Sequence, residues 1–341
     1  MLVADDVDRR IIAELQINGR ASWTEIANRA SMSVAAVARR GQQLFARGAV
    51  RVGVMPNWRG QEPGQLHDIR IQCAPGTQID VASRLVDLAE LRFLALVTGQ
   101  FDLIGELAVL PDMELHLRVI NAVQEIPGVQ RCVTNPHMHA YKVSQRWLRQ
   151  TLGDDVPENV EEPGPCDPSH ADDIDRRIVD AMATNGRISM RSLAEQLQLN
   201  ETTVRRRFDT LAESGCVRVV TLVSALAVGY EAETLLDVHV DPTKIDTVAA
   251  KLAGYDGVRY IAASLSSPSL FCEMILPDAN RVHEFFTSEL ARMDGVRGWD
   301  AGTELLTFKR GFIETPWWRD AVQQPDGPTA APSGIAHDQG S

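Results

Sequence analysis

Apolar residues recur at helical spacing from the start of the chain, with Val7, Ile11, Ile12 and Leu15 on one face before the turn pair Asn18-Gly19. Ser22, followed by Glu25, carries the capping-box pattern of a second helix whose inner face is Ile26, Ala27 and Ala30. Ser33 can cap a third helix, with Val37, Gly41 and Leu44 on one side and an end near Gly48. The period then changes. Residues 68–73 alternate as a strand, Val81, Leu85 and Leu88 return to helical spacing, and 92–98 and 102–110 read as strands around Gly99-Gln100. Met113, Leu117, Ile120 and Val123 predict another helix, and 129–134 a last strand. The order after the three helices is βαββαβ, a split βαβ of ferredoxin type.

The whole pattern occurs twice. A shift of 167 residues places Asp8-Arg-Arg-Ile on Asp175-Arg-Arg-Ile and Asn18-Gly-Arg on Asn185-Gly-Arg, and sixteen of the 44 positions from Asp8 to Arg51 are identical without a gap. The register persists downstream, matching Glu106 with Glu273, Gly128 with Gly295 and Lys142 with Lys309. In the second copy Ile178, Val179 and Met182, then Leu193, Ala194 and Leu197, then Val204, Phe208 and Leu211 repeat the three helices, with Ser189 and Asn200 as caps. Strand and helix patterns follow at 235–240, 248–252, 260–265, 270–276, 282–290 and 296–304. Two short helices joined by a tight turn behind a supporting helix make a helix-turn-helix. The expected fold is therefore α+β: two repeats, each a winged-helix-like helix-turn-helix module followed by a ferredoxin-like βαββαβ module. The expected boundaries are 1–55 and 64–150 for the first copy, and 174–223 and 232–318 for the second. Between the copies, 153–173 holds four prolines and eight acidic residues and reads as a solvated linker, and 323–341 as a disordered tail.

Composition adds exclusions. No stretch approaches the ~18 apolar residues of a membrane span, and the N-terminus lacks a basic-then-apolar leader, so a cytoplasmic protein without membrane contact is expected. The five cysteines are scattered and never spaced C-x-x-C, which argues against a disulfide framework or a zinc site. Net charge is −12, yet the 44-residue helical segments each hold eight arginines, against three acids in the first and six in the second. That concentration is the electrostatic footprint of a double-stranded DNA binder, hidden by an acidic remainder.

Helical register selects the residues. With Val37, Gly41 and Leu44 inward, Ala36, Arg39, Arg40 and Gln43 share the opposite face, with Ser33 and Ala35 at the reading end. Copy two offers Thr203, Arg206, Arg207 and Thr210 there, with Thr202 near the helix start and Arg205 on the flank. Arginine suits phosphate clamps and bidentate contact with guanine, and threonine reaches phosphates or a thymine methyl. The competing interpretation is that arginines merely solvate helix faces.

Asp8, Ile11, Asn18-Gly19-Arg20, Ile26-Ala27, Ser33, Val37, Arg40, Leu44 and Gly48 together resemble the N-terminal module of the Lrp/AsnC "feast/famine" regulators. Thr98-Gly99-Gln100-Phe101-Asp102-Leu103 is similar to the Gly-x-Tyr-Asp turn of that family's amino-acid-sensing RAM domain. The resemblance implies a transcriptional regulator with no cofactor, whose RAM modules pair through their sheets as an intrachain pseudo-dimer and assemble further into a homo-oligomer. A small effector, commonly an amino acid, is implied at the RAM interface, at Thr98, Gly99, Gln100, Phe101 and Asp102. A plain hairpin turn with Asp102 as a local cap is the alternative. The aligned turn of copy two, Ser266-Ser267-Pro268-Ser269, lacks both glycine and aspartate.

Other constellations point less far. His137-x-His139 puts two imidazoles on one strand face, but no ligand cluster accompanies them, so no metal site is expected. Trp317-Trp318 suits packing or an oligomer contact. No catalytic residue is expected, because no phosphate loop or nucleophile motif is present. Siroheme decarboxylases share the architecture and form the enzymatic alternative; their histidine-bearing stretch is missing from 92–99 and 259–266. The third alternative is an effector-binding or assembly protein whose helical modules no longer read DNA.

Overall fold

The computed structural model describes residues 3–57, 66–109, 112–144, 146–152, 166, 168–265 and 270–323. The first helix-turn-helix module consists of α1 (Asp6–Ile17), α2 (Trp23–Ala30) and α3 (Val34–Ala46), followed by the strand β1 (Val50–Pro56). Its caps are those expected: Ser22 and Glu25 form a full capping box, and the Ser33 side chain accepts from the Ala36 N–H. Next come β2 (Leu66–Cys73), α4 (Gln78–Val86), β3 (Leu91–Val97), β4 (Leu103–Ala108), α5 (Met113–Gln124), β5 (Val129–Val143) and the short α6 (Trp147–Thr151). The second repeat runs α7 (Asp173–Met182), α8 (Met190–Leu197), α9 (Glu201–Glu213), β6 (Val217–Val223), β7 (Ala232–Val240), α10 (Ile245–Ala253), β8 (Val258–Ser264) and β9 (Leu270–Leu276). It ends with α11 (Ala279–Glu284), β10 (Val296–Arg310), β11 (Ile313–Glu314) and α12 (Trp317–Gln323).

The strands β5 and β10 continue well past the expected ends at 134 and 304. Each crosses from one repeat to the other. The N-terminal half of β5, to Pro136, pairs with β2, and from His137 onward it pairs with β8. Correspondingly β10 pairs with β7 up to Thr303 and with β3 from Glu304. His137 and Glu304 occupy equivalent positions, so both strands change sheet at the same point of the repeat. The pairings β7–β10–β3–β4–β2–β5–β8–β9–β7 close an all-antiparallel ring in which β5 and β10 each pass from one sheet to the other.

The crossings exchange core residues. Phe308 of β10, fully buried, enters the core formed by α4, α5 and the first sheet, where Trp318 packs on it at 5.2 Å between ring centroids. Tyr141 of β5 packs against the second repeat's core. The matched lysines also acquire a reason. Lys309 Nζ donates to the carbonyls of Val86 (2.8 Å) and Leu88 (2.9 Å) at the C-terminus of α4, and Lys142 Nζ to Ala253 (2.7 Å) and Tyr255 (3.1 Å) after α10. Each repeat thus caps a helix of the other with a cation, at the end where the helix dipole favours one.

The helical modules are joined as well. β1 and β6 form an antiparallel two-stranded sheet across the repeats, with Gly53 opposite its own equivalent, Val220. The Asn-Gly-Arg pairs lie beside it. Arg20 donates to the carbonyls of Gly186 and Ile188, while Arg187 donates to those of Gly19 (2.5 Å) and Ala21 (2.9 Å). A side chain is excluded at Gly19 and Gly186, where a Cβ would come within 2.8 and 2.9 Å of Val52.

One expectation about cysteine fails. Cys166 and Cys216 are disulfide-bonded, with Cα atoms 4.8 Å apart and 50 residues apart in sequence. Spacing along the chain carries no trace of such a pair, because the approach is made by the segment that precedes α7. No described helix is long and apolar enough to cross a membrane.

Candidate nucleic-acid interface and effector cavity

In α3 the buried positions are Val37, Gly41 and Leu44, and in α9 Val204, Phe208 and Leu211, the register expected. Gly41 has a specific cause. A Cβ there would lie 2.4 Å from the Trp23 ring, so the indole of α2 fills the space. In the second copy Met190 replaces that indole and Phe208 replaces the glycine, exchanging large and small between facing helices.

The outward faces divide into two groups. Arg39 and Arg206 are exposed and take part in no ion pair among the described residues, and Gln43 is exposed beside Arg39. Arg205 is exposed and bridges Glu201 one turn back at 2.9 Å. Thr202 and Ala35 are exposed at the helix starts, Thr203 and Ala36 are half-buried, and the Thr210 hydroxyl donates to the Arg206 carbonyl at 2.9 Å. Arg40 and Arg207 behave differently. Arg40 Nη1 reaches Asp5 (2.8 Å) and Asp8 (2.9 Å), and Arg207 Nη1 reaches Asp172 (2.8 Å) and Asp175 (2.9 Å). These side chains, expected on the reading face, instead tie the third helix of each module to the N-terminus of the first. A helical wheel of α3 alone cannot show this, because the aspartates lie 32 and 35 residues earlier. Those carboxylates hold both guanidinium groups firmly protonated, raising each above its ordinary pKa.

The glycine turn of the first copy opens on a cavity of about 470 Å³ shared by both repeats. Thr98, Gly99, Gln100 and Phe101 line it, facing Arg70, Arg131 and, from the second repeat, Asp237, His239 and Asp300. Gly99 adopts φ +114°, a conformation that favours glycine. The turn is docked on the other copy: the Thr98 N–H donates to the Thr303 carbonyl (2.9 Å), and the Thr303 N–H donates to Thr98 Oγ1 (2.8 Å). Asp102 is placed otherwise than expected. It does not line the cavity, and its carboxylate accepts from the Cys73 N–H (2.8 Å) and Gln78 Nε2 (3.2 Å), the local cap of the alternative reading. The carboxylates that do border the cavity are Asp237 and Asp300, the latter 3.0 Å from His239 Nε2. Sequence reasoning missed Arg131, which reaches the turn through the β2–β5 pairing of its own repeat, and His239 and Asp300, which reach it only because β10 crosses to β3. Ser266 and Ser269 of the second copy's turn lie outside the described residues.

A second, interior space of about 50 Å³ lies between the sheets, bordered by Arg92, Glu106, His137, Arg259, Tyr260, Glu273 and Arg310. His137 Nδ1 is 3.1 Å from Glu106, and the Tyr260 hydroxyl donates to Glu106 at 2.7 Å. His139 is exposed beyond a bulge, so the two histidines do not share a site. Burial alone would raise the Glu106 pKa, but the Arg92 charge and the His137 and Tyr260 hydrogen bonds bring it down to about 2. Glu304 goes the other way. Burial raises it, and although Arg310 pulls it down, burial with the neighbouring Glu233 and Glu273 charges leaves it at about 7.

The AsnC-type helix-turn-helix domain matches this chain twice, at residues 5–44 and 172–212. An uncharacterized HTH-type transcriptional regulator of Pyrococcus horikoshii is 26% identical over 137 residues, covering 40% of this chain and 85% of that protein. The HTH-type transcriptional regulator Ptr1 of Methanocaldococcus jannaschii is 26% identical over 141 residues, covering 41% of this chain and 95% of Ptr1. Over the whole length, the crystal structure of the siroheme decarboxylase NirDL superposes with a TM-score of 0.58 at 14% identity, covering 91% of this chain and 94% of that one. At that identity the likeness is one of fold, and it shows the same two-repeat architecture in a second protein. The chain thus carries an AsnC-type helix-turn-helix domain in each half and is similar to HTH-type transcriptional regulators.

Proposed function

We propose that the protein is a transcriptional regulator that reads operator DNA through α3 and α9 and takes a small zwitterionic effector, an amino acid, in the 470 Å³ cavity at the Gly99 turn. The observation that carries this reading is the pair of exposed arginine faces on two helix-turn-helix modules locked together by β1–β6 and by Arg20 and Arg187. Arg39, Gln43, Arg206 and Thr202 are the side chains free to meet a duplex, and Arg205 joins them by exchanging Glu201 for a phosphate. Arg40 and Arg207 set the helices in place behind them. For the effector, the cavity falls within the roughly 300–1,000 Å³ of small-molecule sites. Arg131 can meet a carboxylate there, and Asp300 an ammonium group.

The test is fluorescence anisotropy with duplexes from the promoter of the protein's own gene, with and without each amino acid. Arg39→Ala and Arg206→Ala together should weaken binding at least tenfold and lower the salt slope by about 1 for each phosphate that is no longer neutralised. Wild-type affinity in the double variant would overturn the interface proposed for these helices.

One observation favours a second reading: the two-repeat fold is shared over 91% of the chain with a siroheme decarboxylase. The interior 50 Å³ space is far too small for a macrocycle, so of these two spaces the 470 Å³ cavity is the one to test for a tetrapyrrole. Titration with siroheme distinguishes the readings: a saturable shift of its absorbance bands together with no specific DNA binding would favour the enzyme.

A further inference from the structure

We infer that Cys166 and Cys216 form a reversible thiol–disulfide site that fastens the segment entering the second helix-turn-helix module to the turn leaving its recognition helix. Cys216 follows Gly215 in the turn after α9, and Cys166 precedes α7. Their bond therefore closes a loop containing α7, α8 and α9. Both are buried in the core of that module, among Phe208, Leu211 and Val217. The end of β1 completes the knot. Asn57, fully buried, donates its N–H to the Cys216 carbonyl (2.8 Å) and its side chain to the Gly215 carbonyl (2.8 Å), and its own carbonyl accepts from the Cys166 N–H at 3.4 Å.

The duplication shows that the turn does not need a cysteine. Ala49 holds the position equivalent to Cys216, and its N–H bonds the Leu44 carbonyl (3.1 Å) just as the Cys216 N–H bonds that of Leu211 (2.8 Å). A thiol at Cys216 thus serves something other than backbone geometry. The remaining cysteines point the same way by contrast. Burial pushes the thiols of Cys73 and Cys132 up to about 11 and that of Cys272 higher still, which keeps them protonated and unreactive. Cys166 is buried as well, but unlike them it has an exposed imidazole beside it, His170 Nδ1 at 3.6 Å from Sγ, able to accept the thiol proton. The Cα separation of 4.8 Å lies in the range of about 4.4–6.8 Å that a disulfide requires, so the bond can open and close with little backbone movement.

A hydroperoxide is the co-reactant the chemistry requires. The Cys166 thiolate attacks the terminal peroxide oxygen, the O–O bond breaks, and the departing hydroxide takes the proton held by His170 and leaves as water. The Cys216 sulfur then attacks the sulfenic sulfur of Cys166, forming S–S as the S–O bond breaks, and the hydroxide leaves with the Cys216 thiol proton as the second water. Two thiols and one hydrogen peroxide give one disulfide and two waters. A dithiol reductant reverses the bond.

The test uses the full chain, reduced with dithiothreitol, desalted anaerobically and divided. One portion receives one equivalent of hydrogen peroxide; both are alkylated in denaturant and weighed. The reduced portion should take five alkyl groups and the oxidised portion three, with a tryptic peptide joining Cys166 to Cys216. Closing a loop of this length should raise the melting temperature by on the order of 5 °C and slow tryptic cleavage within α7–α9. Cys216→Ala, which copies Ala49, should fold and show neither shift, and His170→Ala should slow the oxidation several-fold near neutral pH. Five alkyl groups after peroxide, or a bond between other cysteines, would overturn the inference. So would one zinc per chain in the reduced protein that blocks oxidation, since Cys166, His170 and Cys216 would then be a metal site.

Discussion

Replacing Arg187 by alanine probes what holds the two helix-turn-helix modules in one geometry. Its guanidinium sits 4.5 Å from the Trp23 ring centroid and 5.9 Å from that of Phe45, and it donates to the carbonyls of Gly19 and Ala21 in the other repeat. Alanine leaves both carbonyls without that donor and uncovers the indole. Two charge-assisted hydrogen bonds at about 1.5–3 kcal/mol each and a cation–π contact of about 0.5–1 kcal/mol are opposed by desolvation of the guanidinium. Burial, and after it the charge of Arg20, already lowers the Arg187 pKa, so the opposing cost is real and the net loss is about 2–4 kcal/mol. Arg187→Lys keeps the charge but cannot present two N–H groups to two carbonyls, and it should recover less than half of the loss. Urea denaturation monitored by tryptophan fluorescence measures both, since Trp23 reports on the contact directly. A loss below about 0.5 kcal/mol in Arg187→Ala would show that the sheet pair β1–β6 alone holds the modules, and the locking role would be refuted.

Two other outcomes follow from the same structure. Gly41→Phe alone should destabilise the first module by about 3 kcal/mol or more by striking Trp23, whereas Trp23→Met with Gly41→Phe imports the second copy's solution and should recover most of it, read by thermal melting. Glu304 has a folded pKa of about 7 against an ordinary value near 4.5, so its contribution to stability is present below pH 4.5 and is lost as pH rises through 7. Glu304→Gln should therefore melt like wild type at pH 4.5 and exceed it by up to about 3 kcal/mol at pH 8; equal stability at pH 8 would refute the assigned burial penalty.

The repeat, the capped helices and the strand order are legible in the sequence because they are local. Ser22, Ser33, Ser189 and Asn200 cap where their spacing says they should, each bonding an N–H two or three residues on. What escapes depends on residues distant in sequence. Asn18-Gly19-Arg20 reads as punctuation, but the glycine is there for the close approach of the other module and the arginine for its carbonyls. The match of Lys142 with Lys309 is visible without its reason, because a strand's end cannot be placed when it leaves its own sheet for another. The DNA face is half legible: apolar periodicity separates inward from outward correctly, but cannot tell Arg39 and Arg206 from the tied Arg40 and Arg207. Asp102 follows the turn motif in sequence, and only the position of the Cys73 N–H shows that it is a cap.

Fusion also permits what a symmetric dimer of single units cannot have. Residues on a two-fold axis meet their own copies, so a charged one faces a like charge. Here the residues equivalent under the 167-residue shift are Arg70 and Asp237, and they meet directly, Arg70 Nη2 donating to Asp237 Oδ1 at 2.7 Å. The Arg70 side chain also donates from Nε to Asp68 at 2.6 Å, and all three residues are buried. Once the copies were joined, one axial position was able to become basic and its mate acidic. The pairing then makes each repeat a poor partner for itself and directs the two halves of one chain together. Arg70→Asp recreates the symmetric case. It places three carboxylates together without a cation, at a cost of about 3–5 kcal/mol, and should yield unfolded or aggregated protein. Arg70→Asp combined with Asp237→Arg restores the axial pair but not the contact with Asp68, since the equivalent of Asp68 is Leu235, so it should recover part of the stability and the wild-type mass in light scattering. If the single variant is as stable as wild type, the axial pair does not direct the fold. If the swap is no better than the single variant, the essential contact is Arg70 with Asp68, inside one repeat.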